Sequence, residues 1–579
     1  MLVAATLAVG TTCLLGSVPG RATTPSTDPG TVGPRRVTTA DYDFGDSAFT
    51  PLGFPAPVEV RARVYYPQAL TGTFPLVIFL HGRHVTCYDP ATGSPFFEWP
   101  CEAGRQPIPS HLGYAAQAKL LASHGYIVAS ISANSINYND DATADLGANA
   151  RGQLVLHHLD LWRSWARGNA APFGNLFTGH VDMSAIGLMG HSRGGEGVAA
   201  AAVFNRLLGS PYGIRAVITL APTDFSRLVP TRVPLEVVLP YCDGDVSDLQ
   251  GIHFYDDARN ADPNDSTPKH AVLVSGADHN FFNSVWTPPF PGGGDDWFGP
   301  EEPFCDRASP TTGRLSPSGQ RKVGANLFAA FFRRYLGGES GLDPYLDGSL
   351  TRPPSLQRVT HSDLSVSYHA GTARTTRRDV ARFLGPGSLF VDALGGRVTF
   401  SGFDDVSLCG ATSPHPFCLY DFDSGREPHS TSSFLAPNAL GLSQLRLTWS
   451  RPGALALFRI PAAKGDVHGY RSVTLRAGVV FTNPLNAPGN NQDLLVRLED
   501  AAGHVAYAPV SQFSPALRYP PGSPDSFSPV PKLYDATIRI PLRAFAGVDL
   551  RAIRSLGLVS FQTASGSITA TDLAFTDPA

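Results

Sequence analysis

Gly190-His191-Ser192-Arg193-Gly194 is the stretch whose residue types and spacing speak most directly of chemistry. It is the G-x-S-x-G pattern that presents a serine nucleophile on a tight turn between a strand and a helix. The flanks supply that setting. Met183 to Met189 is a short apolar run that reads as a buried strand, and Gly197 to Phe204, continued by Arg206-Leu207-Leu208, reads as a helix. A helix N-terminus beside the serine aims amides at developing negative charge. A serine hydroxyl is a weak nucleophile at neutral pH, so it needs a base, and the base needs an orienting acid.

Both are found downstream, each just after a strand. His270 to Val274 is an apolar run ending at Ser275-Gly276-Ala277-Asp278-His279-Asn280, which offers His279 as base. Pro234 to Pro240 ends at Tyr241-Cys242-Asp243-Gly244-Asp245, and Asp224 follows the run Ile214 to Leu220. Asp245, Asp243 and Asp224 are thus the candidate acids. Glu196, one helical turn beyond Ser192, reads as a carboxylate stabilised at the helix N-terminus and paired with Arg193.

The elements that must position these groups are legible around them. Val58 to Tyr66 alternates as a half-exposed strand does, whereas Phe74 to Leu80 and Tyr126 to Ile131 are nearly continuous apolar runs of central parallel strands. Helices are predicted over Tyr114–His124 and Gly152–Trp165. Another opens at Ser316-Pro317 and carries Val323, Leu327, Phe328, Phe331, Phe332 and Leu336 on one face. Strands alternating with helices predict an α/β fold, a mostly parallel sheet covered on both faces. Catalytic groups then belong at the carboxyl ends of strands, where Ser192, Asp245 and His279 fall in that order.

With these residues in view, the region 40–338 resembles the α/β-hydrolases, in particular the dienelactone-hydrolase, chlorophyllase and cutinase-type polyester-hydrolase branch. The resemblance rests on His81-Gly82, Gly190-His191-Ser192-Arg193-Gly194-Gly195, the Asp245 loop and Gly276-Ala277-Asp278-His279. It implies a Ser192–His279–Asp245 triad, with Asp245 preferred to Asp243 because the acid lies a few positions past the strand end, taken as Tyr241. Asp243 is then a turn-former. It also implies an oxyanion hole made by the backbone N–H groups of Arg83 and Arg193, with the His81 and His84 side chains packing their loop. The expected function is a secreted serine ester hydrolase acting on a lipid, polyester or acylated polymer. Weighed against it are a non-catalytic binding or adhesion protein on the same scaffold and a serine peptidase. A long insertion, Trp286 to Leu315, departs from the compact polyester hydrolases. Its aromatics and those just before it (Phe281, Phe282, Trp286, Phe290, Trp297, Phe298) and Phe96, Phe97 and Trp99 either wall an acyl pocket or pack their loops.

A chain of 579 residues is long enough for two or three domains. Residues 1–22 read as a signal peptide and 23–39 as a disordered leader. The region 339–358 reads as a linker, and 359–579 as a β-sandwich of jelly-roll type, with short alternating runs such as Gln444–Trp449 and Ser472–Val479. That domain either binds extended polymer or braces the hydrolase, and Tyr420, Trp449, Tyr507 and Tyr519 are equally candidates for a polysaccharide-binding face or for its core. Once Cys13 leaves with the signal, six cysteines remain. Domain order pairs them as Cys87–Cys101, Cys242–Cys305 and Cys409–Cys418. The net charge of −4 gives no reason to expect nucleic acid or an anionic membrane as partner. No cofactor and no metal site are expected, and no C-x-x-C occurs.

Overall fold

The computed structural model describes residues 27–578 other than 170, 260, 300–301, 372–375, 411–417, 419–442, 523–530 and 533–534. The signal expected over 1–22, Cys13 and Tyr420 lie outside the described residues.

The protein is mixed α/β, built on one large and mostly parallel sheet with several antiparallel sheets beside it. The large sheet has nine strands: β1 Val37–Asp43, β2 Arg61–Pro67, β3 Phe74–Leu80, β4 Ile127–Ile131, β5 Val181–His191, β6 Ile214–Leu220, β7 Leu235–Pro240, β8 Lys269–Val274 and β9 Leu364–His369. Their order is β1-β2-β4-β3-β5-β6-β7-β8-β9. β3 to β8 run parallel, and β1, β2 and β9 make antiparallel contacts at the two edges.

The continuous apolar runs follow from the covering of both faces. Along β3, Leu76, Ile78 and Leu80 enter one core, with Trp162 and Val198 of helices α3 (Ala148–Ala166) and α4 (Arg193–Leu207). Val77 and Phe79 enter the other core, with Leu121 and Phe328 of α1 (Ala115–Ser123) and α6 (Pro317–Tyr335), and the short helices α2 (Asn134–Asn139) and α5 (Ile252–Ala258) lie between these in the chain. A strand with period-two side chains and two dry faces has no position to spare for a polar residue. α6 starts as its sequence suggests: the Ser316 hydroxyl accepts from the Gly319 N–H at 3.1 Å, with Pro317 in the first turn.

Three boundaries differ from expectation. The supposed leader is bound from residue 27 onward: the Asp28 carboxylate accepts from the Ser355 N–H and hydroxyl, and the Gly33 N–H donates to Ser123 Oγ. The 339–358 segment is packed, with Leu342, Leu346 and Leu356 buried. And β9, beyond that segment, completes the large sheet against β8. Two further antiparallel sheets follow, one containing Ser443–Trp449, Tyr470–Val479 and Ala536–Pro541, the other Ala454–Arg459, Leu495–Asp500 and Ile553–Ser560. They enclose one core, with Leu445, Val473 and Ile538 facing Phe458, Val496 and Leu558.

This second body is fixed to the first by buried polar contacts. Ser367 and Tyr368 of β9 exchange hydrogen bonds with Asp535 and Thr537. Arg476 pairs with Asp256 at 3.0 Å and Arg259 with Asp572, all nearly solvent-free. The cost of taking such charges out of water offsets much of their mutual attraction, so these pairs add little net stability.

Buried polar residues interrupt the apolar runs of the sheet at Ser130, Thr219, Lys269 and His270, and at Glu236. Glu236, the second residue of β7, is fully buried, and neither carboxylate oxygen has a hydrogen-bond partner among the described residues. Burial alone pushes its carboxyl well above the ordinary 4.5. Stability linked to its proton is complete below about pH 4.5 and is lost as pH rises toward the folded-state value. Glu236→Gln is therefore expected to stabilise the protein by about 2 kcal/mol near neutral pH and by almost nothing near pH 4.5. Denaturant unfolding of both proteins at the two pH values measures this; a gain independent of pH would refute the assignment.

Candidate active site

Ser192 caps β5 and precedes α4. Its backbone has φ 58° and ψ −130°, a conformation that L-residues rarely adopt and that costs about 1–3 kcal/mol. The turn is held by Ser192 N–H donating to the Leu220 carbonyl at 2.8 Å, and by Gly195 N–H donating to the Ser192 carbonyl at 2.8 Å. The glycines are steric requirements. A Cβ on Gly190 would lie 2.0 Å from the Gly194 carbonyl oxygen, and one on Gly82 would lie 2.4 Å from Ser192 Cβ. The second distance places the His81-Gly82-Arg83 loop directly against the serine.

The two residues expected to supply oxyanion donors lie on the segments that flank the serine. Arg193 is the first residue of α4, so its N–H has no intrahelical acceptor, and Arg83 follows Gly82 at the cleft. Ser192, Arg83 and Arg193 line one cleft of about 290 Å³ together with Phe97, Phe225, Asp245 and Gln250. The two arginine side chains share a carboxylate that sequence reasoning missed. Asp140, fully buried, lies 3.2 Å from Arg83 Nε, 2.8 Å from Arg193 Nη1 and 2.7 Å from Arg151 Nη2. It ties the loop after β3 to the start of α4, so the two backbone donors are positioned through one anion. His81 packs the loop as expected, its Nε2 accepting from the Ala133 N–H, whereas His84 both stacks on Trp286 at 5.1 Å and lines the Ser192 cleft.

His279 follows β8 and is 1% exposed. Its Nδ1 lies 2.9 Å from Asp243 Oδ2. Its Nε2 has no hydrogen-bond partner among the described residues. The imidazole lies 4.8 Å, ring to ring, from His191, the neighbour of Ser192, and parallel to Trp286. The expectation of Asp245 at Nδ1 is therefore corrected: Asp243 holds that position. The side chain of Asp243 is fully buried, whereas that of Asp245 is 62% exposed. β7 ends at Pro240, one residue earlier than expected, so the acid a few positions on is Asp243. Asp243 is also the turn-former, since its other oxygen accepts from the N–H groups of Asp245 and Val246. Asp245 sits at the cleft, 3.4 Å from Nε2. Asp224 lies elsewhere, 3.3 Å from both Arg227 and His253. Glu196 accepts from Thr223 and the Ser226 N–H rather than pairing with Arg193.

The electrostatics follow from that packing. Burial would raise the Asp243 carboxyl, but the His279 charge and hydrogen bond, Lys532 and the Val246 N–H outweigh it and hold it below its ordinary value. Burial would lower His279, but Asp243, Asp245 and Asp296 raise it above the ordinary 6.5. Asp296 comes from the insertion. Its carboxylate accepts from the N–H groups of Gly244, His279 and Asn280, which bolts the acid loop to the histidine loop.

The aromatics divide. Phe281, Phe282 and Trp286 are buried packing, and Trp286 donates to Ser110. Phe97 instead lines the cleft, with Arg83 over its ring, and is joined there by Phe225, which sequence reasoning missed. In the second body Trp449 and Tyr519 are core residues, which leaves Tyr507, 51% exposed, as the accessible one of the described candidates for a polysaccharide face. Asp278, Asp295 and Asp296 bring carboxylate oxygens within 4.8 Å of one another. Arg314 bridges Asp278 and Asp295, and Asp296 is spent on backbone amides. No helix of the described residues is long and apolar enough to cross a membrane.

All three expected disulfides are present: Cys87–Cys101, Cys242–Cys305 and Cys409–Cys418. Cys242–Cys305 ties the residue before Asp243 to the insertion that carries Asp296. Its loss through Cys305→Ser is expected to lower turnover about tenfold through misplacement of the acid, while the far-ultraviolet circular dichroism of the sheet stays unchanged at room temperature. Unchanged kcat would show that the loop is held without it.

No protein-family model matches the chain, and no curated protein matches it.

Proposed function

We propose that the protein is a secreted serine ester hydrolase of the α/β-hydrolase superfamily, with Ser192 as nucleophile, His279 as base and Asp243 as orienting acid. The observation that carries the reading is Ser192 held at φ 58° on the strand–helix turn, in a cleft it shares with Arg83 and Arg193. The sheet order 1-2-4-3-5-6-7-8 and the chain order of serine, acid and histidine support it. Three disulfides support an oxidising compartment.

In the proposed reaction, His279 Nε2 takes the Ser192 proton as Oγ attacks the ester carbonyl. The Arg83 and Arg193 N–H groups hold the oxyanion, each worth about 3 kcal/mol of barrier. The imidazolium returns its proton to the departing alcohol. Water then attacks the acyl-enzyme by the same path in reverse, releasing the acid and restoring Ser192. Asp243 stays ionised throughout and fixes the imidazole through Nδ1. The cleft, with Phe97, Phe225 and Val246 on its walls, accepts a short or narrow acyl group of a lipid, polyester or acylated polymer.

A fluorophosphonate probe tests the reading. Stoichiometric labelling of Ser192, together with hydrolysis of p-nitrophenyl butyrate, is expected; a chain that neither labels nor hydrolyses would be a binding protein on this scaffold.

A further inference from the structure

Three carboxylates surround one imidazole in this site. Asp243, Asp245 and Asp296 all act on His279, and the neighbouring rings, His191 and His84, are buried and bring no lasting charge. A base so placed is held protonated, which opposes its task. The compensating cation comes from the other end of the chain. Lys532 lies two residues beyond Val530 in the second body, is fully buried, and donates from Nζ to the Asp243 carbonyl. Its backbone N–H donates to the Tyr241 hydroxyl at 3.2 Å, and that hydroxyl donates to the Pro521 carbonyl at 2.5 Å. Nζ also sits 5.7 Å over the Trp297 ring of the insertion.

We propose that Lys532 is a positioning residue for the Asp243–His279 pair: it clamps the acid loop from outside the catalytic sheet and offsets the negative charge crowded round the imidazole. The proposal rests on the hydrolase reading above. Two features separate this contact from ordinary packing. It falls on the acid's own backbone, and it places a full charge in the dry layer behind the triad, where a charge acts strongly. The groups that face Lys532 are Asp243, Asp296, Asp248 and Arg314, together with Tyr241. Burial pushes the ammonium down to about 8, and the three carboxylates oppose that, so it remains mostly protonated at neutral pH. The second body is then part of the active site's support rather than a separable binding module.

The test uses the full chain. K532Q keeps an N–H donor on a side chain one atom shorter but removes the charge, K532M is a second charge-free variant, and K532R keeps the charge. The readouts are kcat/KM for p-nitrophenyl butyrate from about pH 5 to about pH 9, and the titration of the His279 imidazole by nuclear magnetic resonance of histidine-labelled protein. K532Q or K532M is expected to move the acid limb and the imidazole titration upward by about one pH unit and to lower kcat/KM at pH 7 about tenfold, with K532R restoring both. A limb and an imidazole titration that stay at the wild-type pH would overturn the proposal. So would a K532R as impaired as K532Q with an unmoved limb, since the role would then be packing. A wild type inert toward esters would sink the hydrolase reading, and the imidazole titration alone would then judge Lys532 by the same shift.

Discussion

Ser192→Ala is expected to lower ester turnover about a million-fold, to the level left by the oxyanion donors and binding alone. The size follows from the division of labour in the cleft. In the proposed mechanism His279 and Asp243 have no task without a hydroxyl to deprotonate, so losing Ser192 removes the contribution of all three. The same substitution is expected to leave stability unchanged within about 1 kcal/mol, because alanine inherits the strained φ of 58° and loses only a hydroxyl. Ser192→Gly goes further: it relieves the left-handed backbone and is expected to be more stable than wild type by about 1 kcal/mol. Initial rates on p-nitrophenyl butyrate and denaturant midpoints check both statements. An alanine variant with wild-type turnover would remove Ser192 from the chemistry. A glycine variant that is less stable would show that the turn is not strained by its side chain.

What could be read in the sequence was what depends on neighbours along the chain. Phe74 to Leu80 reads as a central strand because seven consecutive residues must satisfy two dry faces. Ser192 and its turn are legible because the glycines that allow the close approach sit two residues away on either side. His279 is legible because it lies on the loop that follows a strand, and the cysteine pairs because each cysteine joins the next one along the chain. What was missed depends on long-range contact. Asp140 meets Arg83 and Arg193 only after three segments converge on it, and no local spacing announces that. Lys532 reaches Asp243 across 289 residues. Trp449 reads as eligible for a binding face because an alternating strand does not say which of its two faces is the core. β9 was assigned to the second body because it follows a proline-rich segment, yet it finds its partner in β8. The acid is an intermediate case: the loop was located correctly, but residues two apart on a turn point in different directions, and strand-end register decided between them.

That register leads to the second large effect. Asp243→Asn is expected to reduce kcat about ten-thousand-fold, and Asp245→Asn less than about tenfold. The asymmetry comes from which imidazole nitrogen each carboxylate meets. Asp243 accepts from Nδ1 at 2.9 Å, which leaves Nε2 free to take the serine proton, and its burial makes that hydrogen bond the determinant of ring orientation. An asparagine there presents an amide N–H to Nδ1, selects the other tautomer and puts a proton on Nε2, so the base is blocked. Asp245 is solvated and lies on the Nε2 side at 3.4 Å, so it cannot orient the ring without occupying the position the serine needs. Its charge still favours the imidazolium. Asp245→Asn is therefore expected to lower the pH at which activity appears, because one of the carboxylates that raise His279 is gone. The sign is definite: a histidine raised by anions becomes a free base at lower pH when an anion is removed. kcat and the acid limb of kcat/KM for each variant decide the matter. A large loss at Asp245 with near-normal turnover at Asp243 would return the triad to the assignment the sequence alone suggested, and would mean that the Asp243–His279 hydrogen bond is only structural.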